Sequence, residues 1–146
     1  MRVCCFKINL SLEEAKNRYC DWMNEGIEFE LGEYEKYIDK SIQIAEMEDG
    51  WTYFVDVKGE AFFGLSNESW MKFVRDSSVI YAYYDDDFNA ELIVIKNGTL
   101  IREFSLYEDE PVANVDFGAF EYEVSSPIED WNDVANFLEK ELLFNI

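Results

Sequence analysis

Histidine is absent from this 146-residue sequence. The chain therefore lacks the side chain whose ordinary pKa suits general-base chemistry near neutral pH. The absence excludes Ser–His–Asp triads, Cys–His dyads and zinc sites with histidine ligands. No Gly-x-Ser-x-Gly segment surrounds any serine, so a serine nucleophile is not indicated either. Chemistry by carboxylates, lysine or tyrosine remains open.

Positive charge is scarce as well. The chain has 12 Lys and Arg residues against 32 Asp and Glu residues, and a formal net charge of −20. A nucleic-acid backbone or an anionic membrane surface would be repelled by such a chain, so neither is predicted as a direct partner. A dense negative field accelerates encounter with a positive surface. The composition therefore favours a basic protein partner.

Long apolar runs are missing. The longest, over residues 79–84 and 92–95, are far below the ~20 residues that a membrane-spanning helix needs. Residues 1–6 are too short for the apolar core of a signal peptide before Lys7 interrupts them. Adjacent Cys4 and Cys5 would point to opposite faces of a strand and form no Cys-x-x-Cys pair. We expect a cytoplasmic protein with reduced, buried cysteines.

Motifs for metals and cofactors are also lacking. The seven glycines are scattered and form no phosphate-binding loop. The triplet Asp85-Asp86-Asp87 resembles the start of a calcium loop, but Ala90 stands where that loop needs glycine. Pairs of carboxylates occur everywhere by chance in so acidic a chain. The sequence predicts no catalytic residue, no metal and no cofactor.

Apolar spacing and turn residues predict a single α+β domain over residues 1–146. A largely antiparallel sheet of about six or seven strands with roughly three helices is expected. The first half is predicted to contain a strand over 3–10, a helix capped by Ser11 and Glu14 that stops at Gly26, an irregular stretch or short helix over 28–40, and strands over 41–48 and 51–57. A helix after Ser66 or Asn67 and a strand over 79–84 follow. The last part is predicted to contain strands over 91–96 and 99–107, a loop over 114–118, a strand over 120–124, and a last helix starting at Pro127.

The strands over 91–96 and 99–107 form the clearest predicted hairpin. Asn97-Gly98 between them suits a type I′ turn, which needs two residues with positive φ. Pairing outward from this turn sets Ile95 opposite Leu100 and Val94 opposite Ile101. Both faces of the hairpin are apolar, so we expect other elements to cover each side of the sheet.

Acidic residues interleaved with aromatic ones are the strongest functional pattern. Tyr84, Asp85, Asp86, Asp87 and Phe88 are contiguous, and a second acidic group, Glu108-Asp109-Glu110, follows the predicted hairpin. Aromatic rings supply contact area at low entropic cost, and carboxylates accept bidentate hydrogen bonds from arginine. These eight residues are the predicted partner-binding surface. The net charge is well beyond the ~2–8 charges that keep a small domain soluble, which favours a function for the acids.

Four segments carry a resemblance to a known class of protein. They are Gly50-Trp51, the hairpin sequence ELIVIKNGTLIREF from Glu91 to Phe104, NVDFG from Asn114 to Gly118, and IEDWNDVA from Ile128 to Ala135. Over about residues 50–140 the chain resembles bacterial immunity proteins encoded beside polymorphic or contact-dependent toxins. The resemblance implies a protein that binds a cognate toxin domain and blocks it, without catalytic residues of its own. Together with the charge, it predicts occlusion of a basic nuclease-type active site by the acidic, aromatic surface.

Two alternatives stay open at this stage. One is an acidic nucleic-acid mimic or regulatory interaction protein, whose carboxylates imitate phosphates for a DNA-binding partner. An elongated, uniformly acidic face would favour it. The other is a carboxylate-based enzyme, which a single strongly raised carboxylate pKa in a cleft or tight metal uptake would favour.

Overall fold

The computed structural model describes residues 1–23, 29–30, 37–38 and 42–143. Its strands are β1 (Arg2–Ile8), β2 (Phe29–Glu30), β3 (Tyr37–Ile38), β4 (Ile42–Glu46), β5 (Thr52–Asp56), β6 (Val79–Asp85), β7 (Ala90–Lys96), β8 (Thr99–Leu106) and β9 (Val115–Gly118). Its α-helices are α1 (Leu12–Met23), α2 (Asn67–Val74) and α3 (Trp131–Phe137), which a π-helical turn extends over Leu138–Leu142.

All described strands belong to one antiparallel sheet in the order β2-β3-β4-β5-β1-β6-β7-β8-β9. Strands β2 and β3 have two residues each, and the other seven have at least four. The predicted α+β class with a mostly antiparallel sheet and three helices is confirmed. The predicted stop at Gly26 and most of the ambiguous stretch 28–40 lie outside the described residues; the two described pairs within that stretch are strands, which corrects the helical alternative there.

Helices cover both faces of the sheet, as the two-sided apolar hairpin predicted. On one face, α1 and α2 bury an aromatic core around Phe6, Phe54 and Trp70. On the other face, α3 and its π turn pack on Leu92, Val94 and Phe104. Cys4 belongs to the first core and Cys5 to the second, both as buried free thiols, because neighbouring residues of β1 point to opposite faces.

Local start signals of the first two helices act as predicted. The Ser11 hydroxyl accepts a hydrogen bond from the Glu14 amide at 3.3 Å and donates to the Glu14 carboxylate at 3.2 Å. Ser66 is the N-cap of α2 and accepts from the Ser69 amide. Both caps satisfy backbone N–H groups that the first helical turn leaves unpaired.

The β7–β8 hairpin turns at Asn97 and Gly98, with φ of 50° and 80°. Ile95 pairs with Leu100 as predicted, but Val94 pairs with Arg102 and not with Ile101. The prediction of a Val94–Ile101 pair is wrong because a bulge leaves Ile101 unpaired and shifts the register by one residue.

Arg102 explains why the prediction fails beyond β8. Its side chain is 2% exposed and its guanidinium donates to the carboxylates of Asp116 and Glu123, both at 2.6 Å. It also donates to the carbonyl oxygens of Phe117 and Ile128, both at 3.0 Å. A buried cation needs this full set of acceptors, so Arg102 holds together two carboxylates and two backbone carbonyls from residues 116 to 128.

Three predictions fail around these contacts. Residues 115–118 form strand β9 on the edge of β8, where a loop was predicted. Glu121–Val124 form a 3₁₀ turn, where a strand was predicted, and bring Glu123 to Arg102. The last helix begins at Trp131, not at Pro127, because Ile128 is held outside it and Asp130 with Asp133 forms a capping box.

Candidate partner-binding surface

The two predicted acidic segments meet at one end of the sheet. Strand β6 ends at Asp85 and β7 begins at Ala90, whose partner Leu106 is the last residue of β8. A side chain joins the segments directly, because the Asn89 Oδ1 atom accepts a hydrogen bond from the Glu108 backbone at 2.9 Å. Asn89 and Glu108, which are about twenty positions apart in the sequence, therefore lie beside each other because β7 and β8 are antiparallel.

Asp85 builds this end of the sheet from within. It is 6% exposed, and its carboxylate accepts hydrogen bonds from the Tyr83 hydroxyl at 2.7 Å and the Asp87 backbone at 3.0 Å. The backbone and side-chain amides of Asn89 donate to it as well, both at 3.1 Å. Burial would raise the pKa of Asp85, but these hydrogen bonds outweigh it and lower the pKa below its ordinary value. The carboxylate thus acts as a turn-forming acceptor.

Tyr84 lies on the α3 face and is also buried. Its hydroxyl donates to the Glu139 carboxylate, and its ring packs edge-on against Trp131 with centroids 5.4 Å apart. The Trp131 indole donates in turn to the backbone carbonyl of Asp85 at 3.0 Å. Tyr84 and Trp131 therefore support the turn from one side of the sheet and do not form its outer surface.

Asp86, Asp87 and Phe88 form the exposed part of the turn. The Phe88 amide donates to the Asp85 carbonyl at 3.3 Å, and the Asp85 amide donates to the Asn89 carbonyl at 3.2 Å. Phe88 has φ of 65°, a left-handed conformation in which a bulky side chain is strained. Its ring is 59% exposed and touches Trp131 edge-on at 5.2 Å. The turn thus holds an aromatic ring outward between carboxylates.

The carboxylates around this ring differ in their contacts. Asp86 accepts from the Met1 amino group at 2.8 Å, in a pair whose two partners are both largely exposed. Glu108, Asp109 and Glu110 are exposed, and their carboxylates make no hydrogen bond or ion pair with any described residue. The same holds for the Asp87 carboxylate across the described ranges. Four of the five exposed acids are thus available to a partner.

A loop that sequence analysis did not assign to the site completes this end of the sheet. Phe63 is 39% exposed and lies over Tyr83 with ring centroids 4.5 Å apart. Beside it, a cavity of about 220 Å³ opens between the loop and the acidic turn, lined by Arg2, Gly59, Glu60, Phe63, Tyr83, Asp85, Asp87 and Asn89. The sequence signal available was a loop with Phe62 and Phe63 bracketed by Gly59 and Gly64, but nothing local links that loop to the turn.

Glu91 fastens that loop to the sheet. Its buried carboxylate accepts from the Tyr81 hydroxyl at 2.7 Å, from the Tyr107 hydroxyl, and from the Gly64 backbone at 3.1 Å. Burial raises the pKa of Glu91 despite these hydrogen bonds, with a further rise from the nearby Glu103 charge. Through the Gly64 amide and the Tyr107 hydroxyl, Glu91 positions the loop that carries Phe63 and the Tyr107 side chain.

Metal-binding geometry is not found among the residues that the structure describes: no three His, Cys, Asp or Glu side chains there converge as a ligand set. The Asp85–Asp87 triplet is divided by its own fold, since Asp85 points inward and the other two are exposed. No helix in the described ranges has both the length and the apolar character needed to cross a bilayer.

Comparisons with known proteins leave the geometry as the basis for function. No family model, no curated protein and no solved structure matches this chain.

Proposed function

We propose that this protein is a cytoplasmic immunity protein that binds a cognate bacterial toxin domain and blocks its active site. The observation that most directly supports this proposal is Phe88, whose exposed ring is held at positive φ beside the exposed Asp86 and Asp87. Strained backbone conformations are retained where the surrounding structure and a function sustain them. A rigid, outward aromatic ring is the kind of anchor that dominates binding energy at protein interfaces.

The surrounding charge specifies the chemistry of the partner. Glu108, Asp109 and Glu110 lie next to the Phe88 turn and make no contacts with described residues that would neutralise them. Carboxylates in this state attract lysine and arginine, and the basic groove of a nuclease-type toxin presents both. The toxin active site would be occluded sterically, with Phe88 at the dry centre and the carboxylates around it.

Capture from a lysate that contains the products of neighbouring genes is the first test. The tagged protein is immobilised and bound proteins are eluted at rising salt. We expect one basic protein, retained in a stoichiometric complex, whose toxic activity is lost when the complex forms. Many basic proteins released together at modest salt would contradict the proposal, because non-specific charge attraction would explain them. Capture of a DNA-binding protein without toxic activity would favour the nucleic-acid-mimic alternative.

Matched variants then test the surface itself. Phe88→Asn should weaken the captured complex at least about tenfold, mainly through faster dissociation, because the aromatic anchor is lost. Asp86→Asn with Asp87→Asn should slow association and reduce its salt dependence. Glu13→Gln with Glu48→Gln removes the same charge from exposed positions outside the surface and serves as the control. Equal effects from both charge pairs would refute the assigned surface.

A further inference from the structure

Three cations in this acidic protein lie together around one cavity and form no ion pair with a described residue. Arg2 contacts Glu60 at 3.4 Å, Lys7 contacts Asp49 at 3.7 Å, and Arg102 contacts two carboxylates at 2.6 Å. Lys58, Lys96 and Lys140 form no ion pair with a described residue. Arg18, Lys72 and Arg75 form no ion pair with any residue in the described ranges. Arg18, Lys72 and Arg75 are therefore distinguished by their grouping around one cavity and not by the lack of an ion pair alone.

These three side chains line one cavity between α1 and α2. The cavity has a volume of about 210 Å³, and its other lining residues are Asp21 and Trp22. Asp21 makes no salt bridge with any of the three cations. The wall therefore carries an excess of positive charge. Screening at physiological salt limits charge interactions to about 8 Å, so this local excess acts on a bound group more strongly than the distant acids.

Arg18 is fixed in place by part of its guanidinium only. Its Nη1 atom donates to the Val74 carbonyl at 2.9 Å and to the Ser77 hydroxyl at 3.0 Å. The Nε and Nη2 atoms have no acceptor among the described residues. A guanidinium held in this way keeps donors for a bidentate contact with an oxyanion.

Arg75 adds an unusual backbone conformation. It is the C-cap of α2 with φ of 55°, a position where glycine or asparagine is the common residue. Its side chain and that of Lys72 are exposed and make no described hydrogen bond. Attraction to the negative end of the helix dipole accounts for a cation at this helix end. It does not require three unpaired cations around one cavity.

Trp22 narrows the class of ligand. Its ring is stacked on Phe73 with centroids 4.3 Å apart and on Phe62 at 5.8 Å, and its indole N–H donates to the Ser69 carbonyl at 3.1 Å. The indole is thus engaged in the core and unsuited to stacking on a nucleobase. We propose that the cavity binds a phosphate group, with Arg18 as the fixed donor and Lys72 and Arg75 closing around the anion.

An NMR titration with inorganic phosphate tests the proposal. The reporters are the indole resonance of Trp22 and the backbone resonance of Arg75, followed at constant ionic strength against sodium chloride. A parallel titration with glycerol phosphate separates free phosphate from a phosphate ester as the source. Saturable shifts with either probe support the site and identify which form it accepts. Linear shifts, or shifts equal to those caused by chloride, would overturn it.

Variants make the result specific. Lys72→Gln with Arg75→Asn should weaken phosphate binding at least tenfold, and asparagine is among the residues that turns use at positive φ. Lys58→Gln with Lys96→Gln removes two exposed cations elsewhere and should leave binding unchanged. The same dissociation constant in both double variants would overturn the proposal. Arg18 is left intact because its contacts also hold α1 against the end of α2.

Discussion

The turns at the two ends of β7 both reverse the direction of the chain, but they place different kinds of residue at positive φ. The β7–β8 turn places Asn97 and Gly98 at φ of 50° and 80°, the residues best suited to that backbone. The β6–β7 turn places Phe88 at φ of 65°, where glycine or asparagine would be less strained. The residues of the β7–β8 turn are therefore those that favour folding. The β6–β7 turn instead retains Phe88, a residue that is unfavourable at positive φ and is exposed to solvent.

The two turns also differ in what holds them. The β7–β8 turn is positioned by contacts with Ser77 and Ser78, including a 2.9 Å bond from the Gly98 amide to the Ser77 carbonyl. The β6–β7 turn depends on the buried Asp85 carboxylate inside it and on Trp131 beside it. The difference shows that internal contacts hold Phe88 outward in the β6–β7 turn. For the partner proposed above, this preorganisation would lower the ordering cost of binding.

Substitutions at Gly98 and at Phe88 should have the largest and most unequal effects on the free energy of unfolding. Gly98→Ala should lower the free energy of unfolding by about 2 kcal/mol or more, because its Cβ would lie 2.6 Å from the Arg75 carbonyl oxygen. Phe88→Asn should change stability by less than about 1 kcal/mol, because relief of strain offsets the lost contact with Trp131. Urea unfolding with unchanged m-values measures both. Equal destabilisation would remove the contrast between the turns.

Much of the secondary structure was predictable because its signals are local. The Asn97-Gly98 turn, the Ser11–Glu14 cap and the Ser66 cap each depend on residues within a few positions of one another. Strand β9 and the 3₁₀ turn were not predictable in this way. They follow from Arg102, which needs acceptors supplied from residues 116 to 128, and no local pattern announces a buried arginine.

The candidate surface was predictable in part for a similar reason. Charge and aromatic spacing located the Asp85–Phe88 turn, and antiparallel pairing of β7 with β8 brought Glu108 beside it. Three consecutive aspartates gave no indication that Asp85 alone turns inward, because that depends on the Tyr83 hydroxyl and on Asn89. Phe63 arrives from a distant loop through Glu91, a tertiary contact that sequence spacing does not encode.

The internal support of the β6–β7 turn is the next contrast to test. Asp85→Asn should lower the free energy of unfolding by about 2 kcal/mol, because a charged acceptor of four hydrogen bonds is replaced by a neutral amide. Asp86→Asn should change it by less than about 0.5 kcal/mol, since its pair with the Met1 amino group is exposed. Chemical denaturation at pH 7 compares the two variants.

Lowering the pH should reduce the difference in stability between the wild type and Asp85→Asn. The pKa of Asp85 is lowered in the folded protein, so its stabilising contribution is complete above the unfolded-state pKa and is lost as the pH falls through the folded-state pKa. The stability gap between the wild type and Asp85→Asn should therefore narrow below about pH 4. Glu91 acts in the opposite direction because its pKa is raised, so its protonation favours the folded state as the pH falls. A gap that stays constant down to pH 2 would mean that Asp85 is not the charged acceptor of the turn.

External support by Trp131 should have a smaller effect on stability than internal support by Asp85. Trp131→Phe retains an aromatic ring against Tyr84 and Phe88 but removes the N–H that donates to the Asp85 carbonyl. A loss of about 1 kcal/mol is expected, the usual net value of one hydrogen bond. Trp51→Phe is the control, because the Trp51 indole N–H makes no hydrogen bond to a described residue. If Trp131 also preorganises Phe88, only Trp131→Phe will weaken the captured complex. Unchanged affinity would mean that the turn holds the ring outward without Trp131.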